Sequence, residues 1–87
     1  MNQSILINDD MTWNCKSQRI EFTALYSGAI IQCILTIEYL TNKGFNGEMQ
    51  SRSINEFCNL ISFDIEEDTQ QAIEEEQLDD NGQIILT

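Results

Sequence analysis

The sequence has no proline, no histidine, and no lysine or arginine after Arg52. Without proline, a cis-Pro turn and a polyproline recognition segment are excluded. Without histidine, the chain lacks the usual general base near neutral pH and the commonest transition-metal ligand, and no Cys-His or Ser-His nucleophile pair can be built within it. Cys15, Cys33 and Cys58 are odd in number, widely spaced and free of any CxxC pattern. Neither a disulfide framework nor a zinc knuckle is indicated, and reduced, buried thiols are expected. Only Cys15 has a basic neighbour, Lys16, able to depress its pKa. Gly28, Gly44, Gly47 and Gly82 match neither the phosphate-binding loop nor the dinucleotide fingerprint. The expectation is a protein without enzyme activity and without a cofactor. No apolar run approaches the roughly 18 residues of a membrane span, and Met1-Asn2-Gln3-Ser4 carries no basic region, so a cytoplasmic chain with no membrane contact is expected.

Charge is distributed unevenly. Residues 1 to 52 hold four basic and five acidic side chains, a sum of minus 1, whereas residues 53 to 87 hold ten carboxylates, or minus 10 of the net charge of -11. Direct nucleic-acid binding needs clustered Lys and Arg to neutralise phosphates, so this balance argues against it. It favours a partner with a basic surface. Eighty-seven residues make one domain, spanning 1 to 87, and an apolar fraction of 41% supplies a single small core.

Local patterning sets the fold class. Ile5-Leu6-Ile7 is a short β-prone run ended by the turn residues Asn8-Asp9-Asp10, and Met11 to Asn14 reads as a loop or edge segment. From Arg19 the chain alternates, with Ile20, Phe22, Ala24 and Tyr26 on one face and Arg19, Glu21, Thr23 and Leu25 on the other. Ser27-Gly28 supplies the positive φ of a tight turn, and Ala29 to Leu35 follows as a second strand, apolar on both faces and therefore central. One face of that strand belongs under the long helix. The other, with Ile30 and Ile34, needs the short helix, the N-terminal run or a second subunit.

Thr36 caps a short helix that ends at Gly44. Gly44 to Ser51 is a loop, and Ser53-Ile54-Asn55-Glu56 then matches the capping box. Ile54, Phe57, Cys58, Ile61, Ile65, Ala72 and Ile73 recur at three, four and seven residues, which fits one helix of up to about 25 residues. Asp64-Ile65-Glu66-Glu67 is a second capping box that would start a new helix after Phe63. The continuous helix is preferred. Either version leaves Glu74-Glu75-Glu76 at a helix C-terminus, where the dipole disfavours negative charge and no Lys stands four residues away. Asp79 to Gly82 makes a turn into a final strand, Gln83 to Thr87. The expected architecture is α+β in two layers: an antiparallel sheet built on the central hairpin, packed against the long helix, continuous or broken after Phe63, plus the short one. Strand order does not follow from the sequence.

The spacing Gly28, Ile31-x-Cys33-x-Leu35-Thr36-x-Glu38-x-Leu40 resembles the core pattern of a small proteobacterial family catalogued as domain of unknown function 1488, of the Shewanella or Vibrio kind. Trp13, Ile20-x-Phe22-x-Ala24, Phe57, Ile65-Glu66 and the C-terminal Gly82-x-Ile84-x-Leu86-Thr87 extend the resemblance over nearly the whole chain. The chain departs from the family pattern in lacking the Arg residues scattered along the long helix. The resemblance implies a small α+β domain and transfers no catalytic residue.

The carboxylates provide the candidate sites. Asp64, Glu67 and Asp68 lie three and four residues apart, on one helical face, and hard cations such as Ca²⁺ or Mg²⁺ favour such oxygen clusters when a second element adds ligands. Gln77 to Gly82 fails as a calcium loop, because Gln77 stands where the first Asp belongs and the closing Glu would be residue 88. Trp13 and Tyr39 are candidate interface anchors. The leading expectation is a binding module whose acidic face, Asp64, Glu67, Asp68, Glu74, Glu75 and Glu76, docks on a basic protein surface as a regulator or nucleic-acid mimic. The alternative is a structural or assembly protein that forms a homodimer through its sheet. Divalent-cation binding ranks third.

Overall fold

The computed structural model describes residues 5 to 48 and 50 to 87. The Met1 to Ser4 segment, expected to carry no targeting signal, and Met49 in the expected loop lie outside the described residues. Five strands and three helices follow one another as β1 (Ile5–Ile7), β2 (Thr12–Asn14), β3 (Arg19–Tyr26), β4 (Ala29–Thr36), α1 (Ile37–Asn42), α2 (Ser51–Leu60), α3 (Ser62–Glu74) and β5 (Ile84–Leu86). The fold is α+β, as the patterning requires. No helix among the described residues is long and apolar enough to cross a membrane.

β3 and β4 form the expected hairpin, with Tyr26 opposite Ala29 and both turn residues, Ser27 and Gly28, at positive φ. Two such residues in sequence make the turn whose twist matches that of the flanking strands. β1 and β2 both pair antiparallel with β3, at its two ends, so Met11 to Asn14 is an edge segment that joins the sheet. Between them the chain bulges away, which would strip the Thr23 amide of its acceptor. The Asp10 carboxylate takes the bond instead, at 3.0 Å, and accepts the Thr23 hydroxyl at 2.6 Å.

The strand order is β1-β3-β4-β5, and β5 runs parallel to β4. The sheet is thus mixed, antiparallel through β4 and parallel at the last pair. A crossover through all three helices separates β4 from β5, and such a connection can return the chain in the original direction, as a tight turn cannot.

All three helices cover one face. Ile20, Phe22, Ala24, Ile31, Cys33 and Leu35 point into it and meet Leu40, Ile54, Cys58, Ile65, Ala72 and Ile73 in one buried cluster. Trp13 packs against its rim, as befits an edge residue. α1 begins at Thr36, whose hydroxyl accepts the Tyr39 amide at 3.2 Å and donates to the Leu86 carbonyl at 3.0 Å. It ends with Gly44 at φ 107, and the Phe45 amide reaches back to the Leu40 carbonyl at 2.9 Å.

The preferred continuous helix is wrong: α2 and α3 are separated at Ile61, at φ -107 and ψ 24. A straight helix over residues 51 to 74 would measure about 36 Å, whereas the eight-residue strands beneath it span about 26 Å. The bend keeps both Ile54 and Ile73 in the core, which a rod would not. It also turns Leu60 and Phe63 outward. Neither capping box is used. α2 starts at Ser51 with no side-chain cap, α3 starts directly after Ile61, and Ser53 and Asp64 lie inside their helices. The Phe45 and Phe57 rings, 5.2 Å apart between centres, tie the loop after α1 to α2.

Candidate functional site

α3 is the acidic element, and its two ends differ. In its first half, Asp64 and Asp68 turn toward Lys43, which follows α1. The Lys43 ammonium lies 3.0 Å from Asp68 Oδ2 and 4.0 Å from Asp64 Oδ2. The same Asp68 oxygen accepts the Tyr39 hydroxyl at 2.6 Å, and the Lys43 nitrogen sits 5.4 Å from the centre of the Tyr39 ring. Tyr39 and Lys43 are four residues apart across the end of α1, so one short helix presents both groups to one carboxylate. Tyr39, Lys43 and Asp68, with Gln71, Gln77 and Thr87, line a cleft of about 400 Å³.

The electrostatics of this cluster are closed. Partial burial pushes the Asp68 carboxyl up, but the Tyr39 and Lys43 hydrogen bonds together outweigh it, and its pKa lies below the ordinary value. The bond to Asp68 holds the Lys43 pKa above its usual value, against the opposing effect of burial. Burial and then the bond to Asp68 raise that of Tyr39. At neutral pH the cluster therefore holds a carboxylate, an ammonium and a neutral phenol, and none of the three is poised to exchange a proton.

Glu67 is exposed on the same stretch, and its charge reaches Lys43. Among the described residues no group of three Cys, Asp or Glu side chains is disposed to hold a metal ion. Asp64 and Asp68 face an ammonium where a cation site would require them to face one another. Asp79 accepts the Asn81 and Gln83 amides at 2.9 Å each, so the Asp79 to Gly82 segment is an ordinary turn.

The other end of α3 has no cation within ion-pair distance among the described residues. Glu74 closes the helix and Glu75 and Glu76 follow it, all three exposed. Glu75 accepts hydrogen bonds from Gln71 at 3.1 Å and Gln77 at 2.6 Å, neutral donors that leave its charge in place. Glu76 has φ 55, and the Glu76 and Gln77 amides return to the Ile73 and Ala72 carbonyls at 3.0 and 2.9 Å. This is the backbone arrangement that ends α1 at Gly44, with glutamate in the left-handed position that favours glycine.

The six carboxylates expected to form one face thus fall into two groups, with Asp68 of the first about 9 Å along the helix from Glu74 of the second. The expectation missed Lys43 and Tyr39 as partners of Asp68. Their four-residue spacing was the available signal, but only the packing of α1 against α3 gives it meaning. Tyr39 is buried and bonded within the molecule, so it is not an exposed interface anchor. The thiols divide too. Cys33 and Cys58 are buried, and burial, with the Asp10 charge adding to it at Cys33, pushes both to about 11. Cys15 is exposed, contrary to expectation, in the turn between β2 and β3.

The model of the family described as protein of unknown function DUF1488 matches residues 5–86. The chain belongs to this family. A crystal structure of a DUF1488 protein of unknown function from Shewanella loihica PV-4 superposes with a TM-score of 0.90 at 31% identity, covering 99% of this chain and 94% of that one. Within DUF1488 the mixed sheet and the three helices on one face are therefore shared architecture, not a peculiarity of this sequence. No curated protein matches the chain.

Proposed function

We propose that this DUF1488 protein is a non-catalytic binding module of the cytoplasm whose helical layer docks on a basic protein surface. One observation carries the reading. Nine of the ten carboxylates after Arg52 are exposed, and seven of the ten, Glu66, Glu67, Glu74, Glu75, Glu76, Asp79 and Asp80, have no cation within ion-pair distance among the described residues. A field of one sign, unrelieved by its own lysines and arginines, repels copies of itself and steers cationic partners. The closed electrostatics of the Tyr39–Lys43–Asp68 cleft and the buried, protonated thiols support a role without catalysis, because catalytic groups need pKa values matched to the working pH.

The test is affinity capture from cytoplasmic extract at about 50 mM and about 500 mM NaCl, where screening differs severalfold in range. A basic protein retained at low salt and released at high salt is expected. Its affinity should fall at least about tenfold for a variant carrying Glu67→Gln, Glu74→Gln, Glu75→Gln and Glu76→Gln. Retention that ignores both salt and these substitutions defeats the reading.

A further inference from the structure

The sheet has a second face, which no helix covers among the described residues. Leu6, Leu25 and Ile30 are directly opposite one another across β1, β3 and β4, so their side chains stand in one row on that face. Leu6 is 59% and Ile30 72% exposed. Two rows along the strands, Ile34, which is itself buried, pairs with Ile85 of β5, which is 45% exposed. An apolar row across three adjacent strands differs from the scattered exposed aliphatics of an ordinary surface.

Charge identifies what fits it. The charged groups on this face are Arg19 and Glu21, joined at 3.0 Å, and the Asp10 carboxylate bound to Thr23, a sum of minus 1. The remaining minus 10 of the chain's -11 lies elsewhere. The Asn81 to Gln83 segment that borders the face adds no charge. Two copies meeting through their helical layers would set carboxylate against carboxylate. Meeting through the sheets, they set leucine and isoleucine against their own kind.

We infer that the open sheet face is closed by the same face of a second copy, in an isologous dimer with the Leu6–Leu25–Ile30 row of each chain against that of the other. Such a dimer points its two acidic layers outward. This inference does not rest on the role of those layers.

Sedimentation velocity at about 100 μM protein tests it, a concentration at which micromolar association is nearly complete. The 10.0 kDa chain should sediment at twice its mass at both about 50 mM and about 500 mM NaCl. Ile30→Glu, at an exposed position outside the core cluster, should raise the dissociation constant at least about a hundredfold while the circular dichroism spectrum stays unchanged. Phe63→Glu, at the 77% exposed outer side of the helix bend, should leave the dimer intact. A wild type of 10.0 kDa at both salt concentrations overturns the inference. So does a dimer that survives Ile30→Glu and is lost with Phe63→Glu.

Discussion

The two ends of α3 carry similar negative charge and meet opposite surroundings. Asp64 lies in the first turn, where the dipole favours anions, and Asp68 at the middle of the helix, and Lys43 and Tyr39 of the neighbouring element complete their bonding. Glu74, Glu75 and Glu76 lie at the helix end, where the dipole opposes them, and Glu76 also bears a left-handed backbone. Asp68 and Glu74 are about 9 Å apart along the helix, slightly more than a Debye length of about 8 Å at physiological salt, so the two groups are largely separate electrostatic problems. What differs is the neighbour, not the charge. The first end is integrated into the fold, and the second contributes little to the fold and is available for a partner.

Substitutions can break this comparison or sharpen it. The largest effect is expected at the integrated end. Asp68→Ala strands the buried Tyr39 hydroxyl without an acceptor and removes the nearest anion from Lys43, at a cost of about 1–3 kcal/mol in urea denaturation. Asp68→Asn, which keeps an acceptor, should recover part of it. Glu75→Ala at the other end should stay within about 0.5 kcal/mol of wild type. Equal costs at the two ends would erase the distinction.

Next in size is Glu76→Gly. It relieves the left-handed strain and withdraws a charge from the negative helix end, and the added freedom of the unfolded chain offsets part of the gain. A net stabilisation of about 0.5–1 kcal/mol is expected. The matching change in α1, Gly44→Ala, imposes that strain and should destabilise by about 1 kcal/mol. If both substitutions act in the same direction, the two helix ends are not the same device.

Glu74→Lys should stabilise by about 0.3–1 kcal/mol at low ionic strength, and salt should diminish the gain. A gain independent of salt would show that the dipole is not its source.

The smallest effect is in pH. The folded Asp68 pKa lies below its unfolded value near 3.8. Its contribution is therefore complete above that value and is lost as pH falls through the folded one. Asp68→Asn should flatten this part of the acid limb, read as urea stability against pH. Because Asp68 is one-third exposed, the difference is modest.

Much of this was legible in the chain. Alternation from Arg19 to Tyr26 and the Ser27-Gly28 turn specify the hairpin, because a period of two has one pleated solution and positive φ at both turn positions has few alternatives. Thr36 and Gly44 mark the ends of α1, since each satisfies a specific unpaired backbone group. The longer helical stretch was less readable. Its apolar stripe runs through Ile61 without a Pro or Gly to stop it, and both capping boxes offer starts the protein does not use. Where the helix breaks depends on the length of the sheet it must cover, a quantity absent from any window of residues.

The same division holds for the site. The sequence by itself determined that the C-terminal half is anionic and lacks histidine, because charge and residue type are additive properties that folding cannot alter. Only the tertiary structure decided which carboxylates are compensated, that β5 runs parallel to β4, and that one sheet face remains open. Each of these depends on which groups, distant in the chain, are brought within a few ångströms, and that is set by packing, not by order along the chain.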